Sequence, residues 1–418
     1  MDRHNSRFRW FVFASVLFTY LFMSSQRTAP GLITDQIMLD FQVTATTIGL
    51  LASIQFLVYT ILQIPMGILA DRFGPNFFLI IGAVLTGLGT IIYSLATHEY
   101  ILFFARILTG TGDATIWVNM VLILSQWFSA REFTKLIGIT AMTGSLGFLL
   151  ATVPFAFWID FLGWRPAFFS AGLLLCLCGI LLIYVLVKKP KQPIFVKKKI
   201  QREKMTVILR RVFSSRQAWA LFLCHFGIVG TYIGFISSWG VPYGMNVYGM
   251  TRTAASQLIM LGLIGALIGA PLASWVASRL DMIKRPYIVV HLILLFTWSI
   301  FLVFEGNPPY YMVTILFFII GLAYGANALT FAAVRQSFPI SESGIVSGFA
   351  NTGGFLSAVL LPSIFGRVLD YVQVVSGSVI QGFYYGFFTP VVFSVIGFIG
   401  VMLYREKRQI QEENLKEH

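Results

Sequence analysis

The stretch Gln63-Ile-Pro-Met-Gly-Ile-Leu-Ala-Asp-Arg-Phe-Gly74 closes one apolar run of the chain, near residues 45–66, and precedes another near 77–97. Each run has about the 20 residues that an α-helix needs to cross the hydrocarbon core of a bilayer. The stretch ends in a short polar turn with an acid, a base and a glycine. Apolar runs joined by such turns predict a chain that crosses a membrane more than once.

The composition of the whole chain supports a membrane protein. Of its 418 residues, 57% are hydrophobic and 11% are charged, whereas a soluble domain carries about 25% charged residues. The mean hydropathy is +0.79, so apolar runs make up most of the length. Cys176, Cys178 and Cys224 all fall within such runs, and we interpret them as small core residues rather than as a disulfide framework.

Twelve apolar runs are long enough to span a bilayer. They lie near residues 9–30, 45–66, 77–97, 100–127, 136–158, 164–187, 217–240, 253–276, 286–304, 310–334, 343–366 and 382–403. The predicted fold class is therefore an all-α membrane protein with twelve transmembrane helices in two pseudo-symmetric six-helix bundles.

A long basic segment divides the chain into two halves. We predict an N-terminal six-helix bundle at 1–187, a basic cytoplasmic linker at 188–216, and a C-terminal six-helix bundle with a short cytoplasmic tail at 217–418. The linker holds eleven basic residues and one acid, Glu203. A topology signal that also contacts anionic lipid headgroups explains this composition, and binding of a partner protein is the alternative.

Basic residues are concentrated on one side of the predicted bundle. With the N terminus inside, 25 of the 30 Lys and Arg residues fall in cytoplasmic segments or at their edges. Arg165, Arg252 and Arg367 fall outside, while Arg27 and Arg106 lie within spans. Cytoplasmic loops carry this excess in membrane proteins, so the net charge of +13 does not indicate nucleic acid. We predict an integral bacterial inner (plasma) membrane protein with both termini cytoplasmic.

The two halves repeat one another. Gly144, Pro154 and Asp160 around the fifth span are echoed by Gly353, Pro362 and Asp370 around the eleventh. Two six-span halves related by an axis along the membrane normal are typical of transporters in which the halves rock about a site near the bilayer midplane.

The polar turn after the second span resembles the signature loop of the major facilitator superfamily, G-x-L-A-D-R-x-G followed by two basic residues. Gly67, Asp71, Arg72 and Gly74 match, while Pro75 and Asn76 stand where the basic pair is expected. The resemblance implies that the four matching residues take part in conformational gating. Further matches are Arg106-x-x-x-Gly-x-Gly, Gly163-Trp-Arg, Trp239-x-x-Pro-Tyr243 and Ser343-Gly-x-x-Ser-Gly-Phe-x-Asn-Thr-Gly-Gly354.

Within the superfamily, three charged residues resemble the anion:cation symporter group. They are Arg27 on the first span and Arg106 with Asp113 on the fourth. The resemblance implies that the arginines hold a small organic anion and that Asp113 takes the proton. Gln26 stands where that group usually has a second acid. Members of the superfamily that exchange organophosphate for phosphate typically have an arginine on the seventh span. No Lys or Arg lies there in this sequence, so the resemblance disfavours that activity.

The charges themselves support this interpretation. Arg106 and Asp113 are seven residues apart, so they share one helix face about 10 Å apart along the axis. A charged residue at bilayer depth costs about 2.5–3.5 kcal/mol and usually faces a cavity or a proton path. The alternatives are that both are static packing charges and that Arg27 extends to the membrane interface.

Weaker candidates for substrate contact are polar or aromatic. They are Tyr20, Gln55, Tyr59, Trp117, Trp239, Tyr243, Asn327 and Asn351. Hydrogen bonding between helices is an equally good explanation of such side chains.

The predicted function is that of a proton-coupled symporter of a small organic anion, working by alternating access. The sequence has no phosphate-binding loop, dinucleotide fingerprint or metal-ligand cluster, so we expect no cofactor, no metal and no enzyme activity. The expected partners are an anionic small molecule, protons and membrane lipids, and the expected state is a monomer. The alternatives are a proton-driven antiporter that exports an amphipathic drug-like or siderophore-like compound, and a membrane sensor without transport, which an appended soluble domain would favour.

Overall fold

The computed structural model describes residues 7–128, 130–187 and 205–406, and the regular structure in these ranges is helical. The N-terminal half contains α1 (Phe8–Ser25), a 3₁₀ turn (Ala29–Leu32), α2 (Thr34–Phe41), α3 (Ala45–Phe73), α4 (Pro75–Ser94), α5 (Glu99–Trp127), α6 (Ala130–Leu150), α7 (Val153–Leu162) and α8 (Trp164–Leu186).

The C-terminal half follows a short helix that precedes it, α9 (Met205–Phe213). It contains α10 (Arg216–His225), a π-helical turn (Phe226–Gly230), α11 (Thr231–Ile236), α12 (Gly240–Tyr248), α13 (Arg252–Leu280), α14 (Lys284–Val303), α15 (Tyr310–Gly325), α16 (Ala328–Ser337), α17 (Ile340–Ser376), α18 (Val379–Gly386) and α19 (Phe388–Leu403).

The prediction of twelve membrane spans is confirmed. The described residues contain twelve helical segments that are long and apolar enough to cross a bilayer. Several spans consist of two consecutive helices. Span 5 is formed by α6 and α7, span 7 by α10 and α11, span 10 by α15 and α16, and span 12 by α18 and α19.

Local sequence signals explain where the spans begin and end. Thr44 caps α3 by accepting a hydrogen bond from the Thr47 backbone, and Thr251 caps α13 in the same way through Ala254. Such caps satisfy backbone N–H groups that have no partner inside the helix. Gly74, between α3 and α4, has a φ angle of +92°. An L side chain is strained at this angle, which explains the glycine at the end of the signature turn.

Part of the predicted signature and linker lies outside what the structure describes. The backbone of Gly67, Asp71 and Arg72 belongs to α3, but their side-chain surroundings are not among the described features. Their predicted gating role, and that of Gly74, stays a prediction. Of the predicted linker, residues 188–204 lie outside the described ranges, while most of the remainder forms α9.

The two ends of the bundle differ in how the halves meet. We call the end at which α1 begins and α19 ends the proximal end, and the opposite end the distal end. The largest buried apolar cluster includes distal residues of both halves, such as Ile48 and Trp239. Towards the proximal end, separate clusters form in the N-terminal half and in the C-terminal half. The halves are therefore packed together distally and form distinct cores proximally.

A close seam joins span 2 (in α3) to span 11 (in α17). The Ser53 hydroxyl donates to the Val359 carbonyl and lies 2.7 Å from the Ser363 hydroxyl. The backbone of Gly49 lies against the Pro362 carbonyl, so a side chain at Gly49 would collide with it. Inside a membrane the hydrophobic effect does not drive helices together. Small residues let the helix backbones approach closely, and the resulting packing stabilises the contact.

Two pseudo-symmetric acids link the halves at the distal end. Asp370, at the end of span 11, accepts hydrogen bonds of 2.9 and 2.7 Å from the backbone N–H groups of Ala45 and Thr46, where span 2 begins. Asp160, near the end of span 5, accepts one of 2.9 Å from Arg252, where span 8 (α13) begins. Each half thus contributes one acid to hold the first turn of a span in the other half.

Arg252 makes further contacts between the halves, and we call the contacts of Asp160, Asp370 and Arg252 the distal latch. Its guanidinium also pairs with Asp35 of α2 at 2.9 Å and donates to the Leu32 carbonyl at 2.7 Å. Asp35 and Asp160 are partly exposed, whereas Arg252 is nearly buried. The latch therefore lies at the boundary between protein and solvent.

The seam gives a first prediction. Gly49→Ala should push span 2 away from span 11 and favour a state that is open distally, because the added methyl group would overlap the Pro362 carbonyl. The measurement is the distance between spin labels at the exposed distal positions Leu39 and Val374, in a chain whose three cysteines are replaced. We expect a longer-distance population. Gly348→Ala on α17, where an added methyl group meets no atom within 4 Å, is the control, and equal distances in both variants would contradict the prediction.

Candidate substrate and proton site

A buried ion pair joins span 1 to span 4. The Arg27 Nε atom donates to Asp113 Oδ2 at 2.7 Å, and the side chains of Arg27 and Asp113 are 9% and 1% exposed. Removing two charges from water is costly, and a pair at this depth is held by its mutual attraction and additional contacts. The guanidinium carbon also lies 5.0 Å from the centre of the Tyr59 ring on span 2, which adds a cation–π contact.

The local fold explains why Arg27 reaches the interior. Helix α1 ends at Ser25, and the chain continues through a turn into the 3₁₀ helix that begins at Ala29 and contains Pro30. Arg27 is therefore in a non-helical turn beside span 4. Asp113 lies fourteen residues into α5, about 21 Å from the distal start of that helix. The pair is close to the middle of the span.

Arg106 lies two turns nearer the distal end of α5, and backbone carbonyls surround it. Its Nε donates to the Leu51 carbonyl at 3.2 Å, and its Nη1 donates to the Gln26 carbonyl at 3.2 Å. Its Nη2 atom is buried and has no protein partner. No carboxylate pairs with Arg106 within the described ranges. The side chain is 2% exposed, so its positive charge lacks a direct counter-ion.

A small cavity borders Arg106 between the two halves. Its volume is about 10 Å³, which is room for about one water molecule. Thr34 of the N-terminal half and Ser238 of the C-terminal half line it with Arg106. The Ser238 hydroxyl is buried without a partner, while the Thr34 hydroxyl donates to the Ser238 carbonyl at 3.1 Å. Arg106 is thus enclosed by the distal seam in this conformation.

Aromatic side chains surround the Arg27–Asp113 pair. Tyr20 is buried on α1 and lies 6.2 Å from Trp117, measured between ring centres. Tyr59 lies 4.4 Å from Phe355 of span 11 by the same measure. Tyr324 of span 10 lies close enough to Arg27 to interact with its charge. The site is therefore built mainly by the N-terminal half and closed on one side by aromatic rings of the C-terminal half.

Several buried polar atoms near the pair have no protein partner. They include both polar side-chain atoms of Gln55 and the second carboxylate oxygen of Asp113, Oδ1. Most buried polar groups in proteins find a partner. Together with Arg106 Nη2, these atoms give the site unused capacity to donate to and accept from a polar molecule.

The structure brings together six of the predicted site residues around Asp113 and separates the others. Arg27 pairs with Asp113, and Tyr59 packs on Arg27. Tyr20 packs on Trp117, which lies one turn from Asp113 on α5, while Gln55 lies against Gly110 of that helix and Arg106 lies two turns from Asp113. The pairing of Asp113 with Arg27 was not predicted from the sequence. Tyr324 and Phe355 were not predicted as site residues, because nothing in the sequence distinguishes them from other aromatic residues.

Trp239 and Tyr243 lie away from this centre. Trp239 donates from Nε1 to the Pro362 carbonyl at 3.0 Å, and Tyr243 donates to the Gly306 carbonyl at 2.9 Å within an aromatic cluster of the C-terminal half. Asn327 lies at the break between α15 and α16. Asn351 donates to Gln63 of span 2 at 3.5 Å. The substrate roles predicted for these four residues stay predictions.

These features define an integral membrane transport protein with two six-helix halves and a charged central site. The chain belongs to the Major Facilitator Superfamily, because the model of that family matches residues 12–362. The resemblance noted in the sequence is confirmed, and the protein is a member of a transporter family rather than an enzyme. The described residues contain no group of three or more His, Cys, Asp or Glu side chains that could hold a metal ion.

Relatives with assigned names are distant but match over most of their length. The chain is 23% identical to the "Probable hexose phosphate transport protein" of Chlamydia trachomatis serovar D, over 97% of this chain and 92% of the relative. It is 23% identical to the "D-galactonate transporter" of Escherichia coli O6:H1, over 95% of each. It is also 23% identical to the "Membrane sensor protein UhpC" of Escherichia coli K12, over 80% of each.

Solved structures share the fold. A bacterial homologue of the human lysosomal transporter Spinster, described as inward-facing and unoccupied, superposes with a TM-score of 0.79 at 17% identity and covers 96% of this chain and 98% of its own. The nucleoside transporter NupG, as its D323A mutant, superposes with a TM-score of 0.77 at 12% identity and covers 96% of this chain and 100% of its own.

The ion pair generates a second prediction. Arg27→Gln and Asp113→Asn should each lower the free energy of unfolding by about 3–5 kcal/mol, because each leaves a buried charge without its partner. The double variant, which removes both charges, should be more stable than either single variant. Thermal unfolding of the purified chains in nanodiscs measures the order. Asp40→Asn serves as control, because its carboxylate is 41% exposed and an exposed ion pair contributes little. A double variant less stable than both single variants would contradict the prediction.

Proposed function

We propose that this protein is a proton-coupled symporter of a small organic anion that works by alternating access. The observation that carries the proposal is the buried pair of Arg27 and Asp113 in the middle of the bundle. A transporter of anions needs a buried cation that a substrate can reach. A proton-coupled one also needs a group whose charge state changes with the proton, and the pair supplies both.

Proton binding and anion binding are linked through Arg27. When Asp113 takes a proton, it loses the negative charge that balances Arg27. The anionic group of a substrate can then become the counter-ion, since a guanidinium donates two hydrogen bonds to a carboxylate or a phosphate. When the anion leaves, Asp113 must release its proton to compensate Arg27 again. Each ligand therefore favours the binding of the other.

A count of charges supports a ratio of one proton to one singly charged anion. Empty, the site holds Arg27, Arg106 and ionised Asp113, which gives one net positive charge. Loaded with one proton and one monoanion, it again has one net positive charge. Moving charge through the low-dielectric part of a membrane is costly. Equal charge in the two states keeps this cost similar for the empty and the loaded transporter.

Arg106 is the proposed distal contact for the anion. Its unpartnered Nη2 atom borders the cavity between the halves, which the distal seam encloses. Separation of the halves at that end would expose Arg106 before Arg27. An anion that enters distally would meet Arg106 first and then reach the pair about two helical turns deeper.

The proposed substrate class is that of sugar acids or sugar phosphates. Relatives of this chain carry names that refer to D-galactonate and to hexose phosphate, and both molecules combine an anionic group with several hydroxyls. The unpartnered Gln55 and Asp113 oxygen atoms are suited to such hydroxyls. A sugar acid is the better match to the charge count, because its carboxylate carries a single negative charge.

The test is transport by the full chain in proteoliposomes that contain a pH-sensitive dye. The panel should include sugar acids, sugar phosphates, sulfonates and lipophilic cations. We expect one of the anions to move protons in the same direction as itself. Asp113→Asn should abolish accumulation against a gradient while exchange of labelled for unlabelled substrate continues, because the substituted residue cannot release a proton. Glu99→Gln, which removes a carboxylate at the start of the same helix, is the matched control.

Three results would overturn the proposal. Accumulation by Asp113→Asn equal to that of the unaltered protein would exclude the proton role of this residue. A response to lipophilic compounds alone, with protons moving in the opposite direction, would establish an exporter. Binding of a sugar phosphate without translocation would point to a sensor, the class named for one relative.

The charge count yields a separate prediction. Uptake of a singly charged sugar acid should respond to a pH gradient and should be unchanged when a potassium gradient with valinomycin imposes a membrane potential, because one proton and one monoanion carry no net charge. Uptake measured under each gradient alone distinguishes the cases. Strong stimulation by the potential would show that the stoichiometry is different.

A further prediction concerns Arg106. Arg106→Lys should raise the apparent KM for the anion roughly tenfold or more, because an ammonium cannot reproduce the paired donors of a guanidinium. The measurement is substrate-dependent uptake at fixed pH. Arg335→Lys, at an exposed position near the proximal end of span 10, is the control. An unchanged KM would make Arg106 a structural residue.

A further inference from the structure

A chain of buried polar side chains leads from the C-terminal half to the central site. In that half, the Tyr287 hydroxyl of α14 lies 2.6 Å from the Thr330 hydroxyl of span 10. The Thr330 hydroxyl in turn lies 2.9 Å from Nδ1 of His225 on span 7. All three side chains are buried, and polar groups at such depth usually bond to neighbouring helices. The Thr330 hydroxyl thus has partners on two other spans.

The chain continues across span 11 into the N-terminal half. The Cδ2 edge of the His225 ring, which also carries Nε2, lies beside Gly354 of α17. Asn351, one turn before Gly354, is within hydrogen-bonding range of the same ring. Asn351 donates to Gln63 Oε1 at 3.5 Å, and Gln63 Nε2 donates to the Tyr59 hydroxyl oxygen. The chain therefore ends at a tyrosine of the central site.

The two amide side chains give this hydrogen-bond chain a single direction. An amide donates through its nitrogen and accepts through its oxygen. Both amides, Asn351 and Gln63, donate towards Tyr59. The Asn351 oxygen is therefore the atom left for His225. Since that oxygen only accepts, the ring donates to it from Nε2, and Nδ1 accepts from Thr330 because a neutral imidazole has one N–H group.

This direction leaves the Tyr59 hydroxyl as a free donor. Its oxygen accepts from Gln63 and is within hydrogen-bonding range of the Arg27 guanidinium, which has donors only. Tyr59 also lies close enough to Asp113 to interact with its charge. Within the described ranges the Tyr59 O–H group donates to no protein atom, and Asp113 Oδ1 has no partner. The unused proton of Tyr59 therefore lies beside both members of the ion pair.

We propose that His225 and Gln63 are positioning residues, which hold the Tyr59 hydroxyl as a donor for the anion bound at Arg27. The part that concerns the anion rests on the proposed function. A tyrosine hydroxyl can donate or accept, whereas an ionised carboxylate only accepts. With its oxygen already accepting from Gln63 and Arg27, Tyr59 can only donate to an incoming anion. The site then has a neutral donor besides its two guanidinium groups.

The chain crosses between the halves at a single link, from Asn351 to Gln63. At 3.5 Å this link is longer than the measured links within each half. The halves form separate cores towards the proximal end, and a long contact at this place agrees with their divergence. Phe355, one turn from Asn351, packs on Tyr59. The orientation of Tyr59 therefore depends on span 11, and so on how the halves meet.

The first test needs no substrate and measures the direction of the chain. It is magic-angle-spinning ¹⁵N NMR of the full protein in lipid bilayers with labelled histidine. The protein has five histidines, and the signals lost in His225→Gln or His225→Leu belong to His225. We expect a neutral ring with its proton on Nε2. A proton on Nδ1 would reverse the chain and overturn the proposal.

The second test is a double-mutant cycle at Gln63 and Tyr59, with exchange of labelled for unlabelled D-galactonate as the assay. Tyr59→Phe keeps the ring on Arg27 and removes the donor, so KM should rise roughly tenfold, the loss expected for one hydrogen bond to a charged group. Gln63→Met keeps the length of the side chain without its hydrogen bonds and should raise KM by a smaller factor. The double variant should have the KM of Tyr59→Phe alone, because no hydroxyl is left to orient.

The exchange rate at saturation should change little in these variants. Gln373→Met, at an exposed position of α17, is the matched control and should leave KM unchanged. An unchanged KM in Gln63→Met would overturn the proposal, and so would effects of Gln63→Met and Tyr59→Phe that multiply, because independent residues behave in that way. Absence of D-galactonate exchange by the unaltered protein would count against the proposed function, while the position of the His225 proton still decides the direction of the chain.

Discussion

The arrangement of the centre of this protein depends on one interaction, the buried ion pair between Arg27 and Asp113. Two charges near the middle of a membrane are tolerated because each neutralises the other and because Tyr59 covers the guanidinium. The pair ties the turn after span 1 to the middle of span 4. Under the proposed function, the charge state of Asp113 would also decide what Arg27 can bind.

The contacts between the two halves differ from the central ion pair, because their charged groups lie at the edge of the bundle. Its distal end combines close backbone contact, as at Gly49, with the acids Asp160 and Asp370, whose partners belong to the opposite half. These acids lie at the edge of the bundle, so water can hydrate them when the halves separate. Breaking the latch therefore avoids the penalty of leaving a buried charge unpaired. The central pair is different, because both of its members belong to the N-terminal half, so the proposed rocking of the halves would leave it intact.

The sequence predicted the twelve spans, the repeat and the family, because span length and hydropathy depend on local composition and the signature turn is a local motif. It also identified Arg27, Arg106 and Asp113 as charges at membrane depth. It did not predict the partner of Asp113. Helical spacing places Arg106 on the same face, but Arg27 reaches the carboxylate because α1 ends at Ser25 and a turn redirects the chain. That redirection, like the packing of Phe355 on Tyr59, is a result of tertiary structure.

The two arginines of the centre differ in how their charges are compensated. Arg27 has the carboxylate of Asp113 as its partner and lies deep in the bundle, so its charge is balanced in this conformation. Arg106 is held by carbonyl oxygens and has one nitrogen without a protein partner, beside residues of both halves. Carbonyl dipoles stabilise a guanidinium less than a full negative charge does. Closure of the distal end thus buries an incompletely compensated cation, and an anion bound beside it would make that closure more favourable.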